Sequence, residues 1–404
     1  MNLEKIRQDF PALNQMINGK PPIYFDNSCM TLKPIQVIDA MNEYYMKYPA
    51  CHGRSTHKFA KSVTEKFEEA RRKMRAFINA DSEKEVLWTR NTTEGLNLIA
   101  RTLDFKEGDT IITTDIEHNS NLLPWQWVAK NYGAKHIPLE SNEDVTFNLE
   151  RFQETMNKSV KLVSVVHTSN VTGVTIPLKE ITKIAHEFGA LVAVDAAQSA
   201  PHIPLDVKKL DVDFLALSVH KMAGPTGMGV LYGKQHILEE MPQFLVGGET
   251  VLDSTYETKE IAQLPDKFEA GLQNYSGAIG AGAAAEYLKK IGLDNIHNHE
   301  LGLNGYLTKK MEEFEGVNLL GPKDAEKRGG IYTFVVEGVD SHELGMLLDE
   351  AANIMMRSGA HCVHSWFNKH NIPASIRASF YLYNTKEEID VFIEKFRQIL
   401  DFAR

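Results

Sequence analysis

Ala190-Leu-Val-Ala-Val-Asp195-Ala-Ala-Gln198 and, one strand later, Val212-Asp-Phe-Leu-Ala-Leu-Ser218-Val-His-Lys221 decide the fold of this chain. Each begins as a short apolar run bounded by polar residues, the pattern of a strand buried on both faces of a parallel sheet. Each ends in chemistry: Asp195 and Gln198 on the first, Ser218, His220 and Lys221 on the second. In open α/β sheets ligands bind beyond the carboxyl ends of the strands, so these side chains are placed to share one pocket. An isolated Asp or Lys reads as a loop cap or a solvated surface group. The pairing of the two runs reverses that reading.

Working outward, strands read near 85–88, 110–113, 134–138, 161–166, 190–195, 214–218 and 229–232, with helical patterns between most of them. That alternation predicts an α/β protein built on a large, doubly wound, mainly parallel sheet. Before it come helical patterns over 33–48 and 61–79, separated by a Cys51-His-Gly-Arg54 loop. After it, the small residues from Gly277 to Ala285 suit a closely packed helix, and 294–314 reads as another. A smaller α+β domain follows, with a strand at 330–337, a helix over 341–349 capped by Ser341, and a strand at 376–383. The expected division is an arm over 1–20 packed on the small domain, a large domain over 21–288 and a small domain over 289–404. No internal repeat or low-complexity linker interrupts the chain.

The 404 residues, 43% hydrophobic and 24% charged, supply ample material for a large core. A formal charge of -10, with Lys and Arg interleaved among acids, argues against a nucleic-acid surface. No apolar run approaches the roughly 18 residues that span a bilayer, so no membrane role is expected. The opening Met1-Asn-Leu-Glu-Lys lacks the basic-then-apolar order of a signal peptide, and the expected location is the cytoplasm. Three cysteines, Cys29, Cys51 and Cys362, are too few and too scattered for a disulfide framework, so at least one is free to react or bind metal.

Asn91-Thr-Thr-Glu-Gly95 lies between a strand and an apolar-periodic helix, where backbone N–H groups and the hydroxyls of Thr92 and Thr93 can hold a phosphate. Glu94, three residues after Asn91, also completes a capping-box pattern. Asp195 can pair with a protonated ring nitrogen, and burial beside other cations would pull the Lys221 amine down from about 10.4 into a nucleophilic range. A phosphate cradle, a ring-nitrogen carboxylate and an amine able to form a Schiff base together call for pyridoxal phosphate. Glu117-His118 follows a strand end, so the imidazole can stack on the ring and relay protons, or sit as a surface histidine. Asn170 and Gln198 can reach the phenolic oxygen of that cofactor, or stand as ordinary loop polarity.

These motifs, in order with Tyr24-Phe-Asp-Asn27, Ser169-Asn170 and Gly173, Gly224-Pro-Thr-Gly227, Phe268-Glu-Ala-Gly271, Arg357-Ser-Gly-Ala-His-Cys362, Arg377-Ala-Ser and Tyr383-Asn384, cover nearly the whole chain. The chain resembles the class V aminotransferase family, fold type I of the pyridoxal-phosphate enzymes, and within it the SufS-type cysteine desulfurase and selenocysteine lyase group. The resemblance implies a homodimer in which Lys221 holds the cofactor, Asp195 binds the ring nitrogen, and Gln198 and Asn170 approach the ring oxygen. It also implies that His118 stacks, that Thr92, Thr93, Ser218 and His220 bind phosphate, and that Asn27, Arg357 and Arg377 bind substrate. Cys362 then decides the reaction class. Arg357, Gly359 and His361 would give its loop flexibility and positive charge, favouring a thiolate that attacks the sulfur of L-cysteine, or of L-selenocysteine the selenium. Lys221 would move the α-proton, Arg377 would grip the carboxylate in a bidentate pair, and the products would be alanine and a Cys362 persulfide. A protein acceptor would take that sulfur for iron–sulfur cluster assembly or thiolation.

The chain departs from the family pattern in places. Its loop reads Gly-Ala-His-Cys-Val-His where Gly-His-His-Cys-Ala is usual, which leaves the acceptor open. Leu272-Gln273 replaces Thr-Pro, whose threonine reaches the partner subunit's phosphate. Cys29 and Cys51 fall in segments that border the active-site mouth in the family. With Cys362 they could ligate an iron–sulfur cluster, relay a persulfide or form a regulatory disulfide, or be two incidental small residues. The alternatives to a desulfurase are a related lyase or aminotransferase acting on another amino acid, and a sulfur-carrier or cluster-holding protein built on these three cysteines.

Overall fold

The computed structural model of the chain describes residues 1–403. The larger sheet has seven strands, β1 (Val86–Thr89), β2 (Thr110–Thr114), β3 (Lys135–Leu139), β4 (Val160–Val166), β5 (Leu191–Asp195), β6 (Phe214–Ser218) and β7 (Gly229–Gly233). Their spatial order is β1-β7-β6-β5-β4-β2-β3. Neighbours are parallel except at β7, which runs antiparallel to both β1 and β6. The chief helices are α1 (Ile35–Lys47), α2 (Lys58–Ile78), α3 (Thr92–Thr102), α4 (Asn119–Tyr132), α5 (Leu178–Glu187), α6 (Tyr275–Ile291), α7 (Leu293–Met311), α8 (Ser341–Ala352) and α9 (Lys386–Ala403).

Alternation along the strands explains why both faces are covered. Leu162, Ala193 and Phe214 join Leu96, Ile99 and Trp125 of α3 and α4 in one core. Their strand neighbours Val163, Val192 and Leu215 join Phe67, Met74 and Ile181 of α2 and α5 in the other. A period of two on strands buried on both sides leaves no polar face, which is why these runs read as continuous apolar sequence. The small residues of α6 serve close packing: a Cβ at Gly282 would lie 2.8 Å from the Ala70 backbone, and one at Gly280 would lie 2.8 Å from Met41.

The smaller unit is a four-stranded antiparallel sheet, β8 (Val317–Leu319), β9 (Ile331–Val336), β10 (Arg357–Gly359) and β11 (Ser375–Ser379), in the order β8-β9-β11-β10. Leu303 and Leu307 of α7, Leu344 and Leu348 of α8, and Phe392 and Phe396 of α9 close its core.

Two readings of this region change. The strand expected over 376–383 stops at Ser379, because Tyr381, Leu382 and Tyr383 leave the small sheet and bury in the larger core. The α8 cap is Asp340, whose carboxylate accepts from the backbone of His342 and Glu343 at 2.9 Å, while Ser341 lies buried in the first turn.

The N-terminal residues cross between the two units. Ile23–Tyr24 pairs in parallel with Ile354–Met355, and Phe25 sits in the small core, although both fall within the segment assigned to the large domain from residue 21. The arm before them touches both sides: Arg7 bonds Glu388 at 2.7 Å, Lys20 bonds the Ala351 carbonyl, and Tyr287 of α6 donates to Asp9. Phe10 packs between Tyr287 and Tyr383. An exposed hairpin, Val251–Ser254 with Lys259–Ile261, was not foreseen because its alternation carries no buried face.

Candidate active site

The carboxyl ends of β5 and β6, the start of α3, the Asp26–Cys29 turn and the loop after β10 enclose a cavity of about 240 Å³. It lies between the two units, so its walls come from distant parts of the sequence. Lys221, Asp195, His118, Arg357, Arg377 and Cys362 all line it. Thr92, Thr93, Asn170, Gln198, Ser218 and His220 complete the set expected from sequence apart from Asn27, and Cys29 joins them.

One side of the cavity is built on the α3 N-terminus. Asn91 caps the helix through Glu94 N–H at 3.0 Å, while the Glu94 carboxylate bonds Arg90 rather than returning to Asn91, so the expected capping box is only half present. The Thr92 N–H and hydroxyl both meet the Ser218 hydroxyl, at 2.9 and 2.8 Å, and the Thr93 hydroxyl meets Ser120 at 2.7 Å. A Cβ at Gly229 would stand 2.6 Å from Asn91 Cα, so the bare backbone of β7 lets the cap settle here. Hydroxyls and helix N–H groups together suit a phosphate dianion. Burial and the charge of Lys221 lower His220 to about 4, so it faces the cradle as a neutral donor or acceptor.

Asp195 is buried, and its Oδ1 accepts the Ala197 N–H at 2.9 Å. Desolvation raises its pKa above the usual carboxylate value, a cost that a cationic ring nitrogen would offset. Lys221 is displaced downward, chiefly by burial and further by Arg377, against the opposing pull of Asp195. Both shifts favour the neutral amine needed of a nucleophile and base. His118 accepts the Ser120 N–H on Nδ1 at 3.1 Å, which assigns the ring proton to Nε2. Burial and Lys221 lower it to about 4.

Asn170 and Gln198 use their amide groups on the chain itself, donating to the His361 carbonyl at 2.8 Å and the Ser28 carbonyl at 2.7 Å. That leaves Asn170 Oδ1, Gln198 Oε1 and Arg377 Nε buried without a partner. With Ser28 Oγ and His361 Nδ1, also unpartnered, five buried polar atoms on residues lining one cavity fit a polar ligand that both donates and accepts hydrogen bonds, as pyridoxal phosphate with an amino acid would.

Arg377 is 3% exposed, and its two Nη atoms hold the Asn170 carbonyl at 2.8 Å and Asp26 Oδ1 at 3.3 Å. Asn27, expected at the substrate, is not there. Its amide donates to the Tyr24 and Ser379 carbonyls and to Asn384, and its carbonyl accepts the Tyr383 hydroxyl, so it fastens the turn to the small unit. Asp26, one residue earlier, is the group that faces the arginine.

The Cys362 loop is strapped rather than flexible. Asn119 N–H donates to the Cys362 carbonyl at 2.8 Å, Asn170 holds the His361 carbonyl, and Val363 buries with Ile116, Val171, Trp366 and Phe367. His361 and Cys362 both adopt left-handed φ, 50° and 60°, a conformation these bonds must maintain. Burial drives His361 to about 2, so it adds no charge; the positive charge here belongs to Arg357 and Arg377.

The cysteines do not converge as a triplet. Cys29 and Cys362 share the cavity, whereas Cys51 is exposed on the loop before α2, outside it. No group of three His, Cys, Asp or Glu residues able to hold a metal ion occurs among the described residues, which removes the support for a cluster at Cys29, Cys51 and Cys362. At the altered Leu272-Gln273, Leu272 is exposed and the Gln273 amide folds back onto the Ala270 and Gly271 carbonyls.

Sequence reasoning missed Asp26, Ser120 and the role of Glu117. Glu117, raised to about 8 by burial, ties β2, α4 and β4 together through Thr114, Asn121 and Val166, beneath His118. A carboxylate beside a motif histidine was the available signal.

Comparison with known proteins agrees with this geometry. The aminotransferase class-V family model matches residues 23–392. A probable cysteine desulfurase of Halalkalibacterium halodurans is 44% identical over 398 residues, covering 96% of each chain. An apo cysteine desulfurase structure from Thermococcus onnurineus superposes with a TM-score of 0.95 at 39% identity, covering 99% of both chains. The cysteine desulfurase CsdA of Escherichia coli, in an S-sulfonic acid form, gives 0.92 at 32% identity, covering 100% of this chain and 99% of that one.

Proposed function

The chain belongs to the aminotransferase class-V family, and from that premise and the contents of its cavity we infer that it is a pyridoxal-phosphate-dependent cysteine desulfurase, converting L-cysteine to alanine. The single observation that carries the reading is one cavity lined by Lys221, Asp195, Arg377 and a cysteine, Cys362. When bound, pyridoxal phosphate supplies the electron sink that acidifies the α-proton of an attached amino acid.

The residues divide the remaining work. Thr92, Thr93, Ser218 and His220 would hold the phosphate at the α3 N-terminus, and Asp195 would offer its second oxygen to the ring nitrogen. Lys221, whose pKa burial lowers, would anchor the cofactor aldehyde and carry the α-proton. His118, with its ring proton on Nε2, would stack on the ring. Asn170 and Gln198 line the ring-oxygen side. Arg377, held by Asp26 and Asn170, receives the substrate carboxylate with Arg357 beside it. Cys362 attacks the substrate sulfur: a new S–S bond forms, the carbon–sulfur bond breaks toward carbon, and protonation of that carbon gives alanine. The sulfur stays on Cys362 as a persulfide.

We place the enzyme as a homodimer that passes sulfur to a protein acceptor for cluster assembly or thiolation. The exposed apolar residues Leu245 and Leu272, which border one groove, support an interface on that face. Three free cysteines suit a reducing compartment such as the cytoplasm, and among the described residues no helix is long and apolar enough to cross a membrane.

The test is mass spectrometry of the pyridoxal-phosphate-loaded protein after incubation with cysteine, without reductant, with alanine assayed alongside. Sulfur on Cys362 matched by alanine, and its loss in Cys362→Ser, is the expected result. A loaded cofactor with no added sulfur and no alanine would replace this reading with a lyase or aminotransferase acting on another amino acid.

A further inference from the structure

Cys29 is a second thiol on the wall of the same cavity, and the reaction just described does not use it. It sits at the end of the Asp26–Cys29 turn, closed by its own N–H on the Asp26 carbonyl at 3.1 Å. The turn is anchored on both sides. The Ser28 N–H meets the Ser379 hydroxyl at 2.9 Å, the Ser28 carbonyl takes Gln198, and the Thr31 N–H meets the His220 carbonyl at 3.2 Å. Cys362, which lines the same cavity, is held by Asn119 and the buried Val363. Two thiols thus line one cavity, each on a hydrogen-bonded turn.

A cation stands beside the Cys29 sulfur. Arg357 Nη1 points at Cys29 Sγ from 3.9 Å, and Arg357 belongs to the strand that leads into the Cys362 loop. Lys221 senses both sulfurs electrostatically, and Arg377 senses Cys29. Arg377 Nε and Asn170 Oδ1, both at least nine-tenths buried, line the same cavity without a partner. A thiol in an apolar pocket would be inert. This one stands among cations and unpaired polar groups.

Resting on the desulfurase reading, we propose that Cys29 is a second sulfur-carrying site, which takes the sulfane sulfur from Cys362 and so frees Cys362 for another cysteine. The Cys29 thiolate attacks the terminal sulfur of the Cys362 persulfide. The Cys29–sulfur bond forms as the Cys362 Sγ–sulfur bond breaks, and the electron pair leaves with Cys362 as a thiolate. The proton given up by Cys29 is returned to the Cys362 sulfur or to solvent. The transferred sulfur keeps its oxidation level, so no oxidant or reductant is consumed. The arrangement gives the enzyme a place to hold one sulfur while it generates the next. Cys51, outside the cavity, takes no part.

The holoenzyme, loaded with pyridoxal phosphate, is incubated anaerobically with 34S-labelled cysteine and no reductant, quenched at intervals by alkylation, and mapped by peptide mass spectrometry with alanine counted. Label is expected first on the Cys362 peptide and later on the Cys29 peptide. The alanine burst should be about twice that of Cys29→Ser, which holds label on Cys362 alone. In Cys362→Ser the Cys29 peptide should stay bare.

A Cys29 peptide that stays bare while Cys362 fills overturns the relay, and so does later label on Cys51 instead. Label on Cys29 in Cys362→Ser overturns the proposed order of transfer. No sulfur on Cys362 and no alanine removes the desulfurase reading itself and the relay with it. The order of labelling in the unaltered protein decides the question even if a variant folds poorly.

Discussion

Arg377 Nη2 lies 3.3 Å from Asp26 Oδ1, and the same guanidinium holds the Asn170 carbonyl at 2.8 Å, so the arginine is oriented before any substrate arrives. Its Nε is left unpartnered in a buried setting, and a carboxylate approaching that edge would satisfy it. Removing Asp26 leaves a buried cation with only a carbonyl beside it. Asp26→Asn should lower kcat/KM for cysteine by about 10- to 100-fold, mostly through KM, and Arg377→Lys should lose more because a lysine cannot offer a planar edge. Steady-state alanine formation over a range of cysteine concentrations reads the split, and an unchanged KM in both variants would sink the assignment.

Burial lowers the Lys221 pKa just beyond the end of β6, directly after Ser218 and His220 on the cavity wall. Borohydride treatment of the loaded protein should fix a phosphopyridoxyl mass on the peptide containing Lys221 and on no other. Lys221→Ala should accept no such mark and should form alanine at least about a thousandfold more slowly, the range expected when a positioned acid–base group is removed. A mark on another lysine would move the anchor elsewhere.

The sheet and most of the pocket were legible because strands buried on both faces write themselves as uninterrupted apolar runs, and the functional groups follow at their carboxyl ends. Asp195, Ser218, His220 and Lys221 could therefore be placed from spacing alone. What spacing cannot give is side-chain direction in an irregular turn. In Tyr24-Phe-Asp-Asn27 the resemblance pointed to Asn27, and only the fold shows Asn27 tied to Ser379, Asn384 and Tyr383 while Asp26 faces Arg377. The Cys362 loop looked flexible because Gly359 precedes it, yet its rigidity comes from Asn119 and Asn170, far away in sequence. Cys29 and Cys51 looked alike as isolated thiols, and tertiary packing alone separates them.

His136 on β3 provides a pH test outside the cavity. Its Nε2 meets the Thr113 hydroxyl at 3.0 Å, and burial lowers it from 6.5 to about 4. The unfolded ring takes up a proton near 6.5 whereas the folded one does not until about 4, so folding stability falls as pH drops from 6.5 toward 4. Buried Glu117 works in the opposite direction. Raised to about 8 when folded, it favours the folded state at low pH and gives up that contribution as pH rises from 4.5 through 8. His136→Gln, which keeps a hydrogen-bonding group but cannot be protonated, should therefore lose about 1–2 kcal/mol less stability than the unaltered protein between pH 7 and pH 5. Denaturant melts at the two pH values measure the difference, and parallel losses would show that His136 is protonated equally in both states.

Gly173 closes the turn that carries Asn170, with φ at 74° and its own N–H on the Ser169 carbonyl at 2.9 Å. A Cβ there would fall 1.9 Å from the Arg328 carbonyl oxygen and 3.1 Å from Ile331 Cβ, so the side chain has neither the conformation nor the room it needs. Arg328 cannot easily yield, because its guanidinium is buried against Thr308 at 2.6 Å and Asn304 at 3.2 Å. Gly173→Ala should destabilise the protein by about 3 kcal/mol or more, strain at positive φ adding to overpacking. The displacement would travel through Asn170, which holds both the His361 carbonyl and the Arg377 guanidinium. The variant should therefore lose activity at temperatures where it is still folded, a result checked by comparing alanine formation at 20 °C with the thermal midpoint. Full activity together with a normal midpoint would show that the Arg328 segment moves aside freely, and would detach this turn from the catalytic cavity.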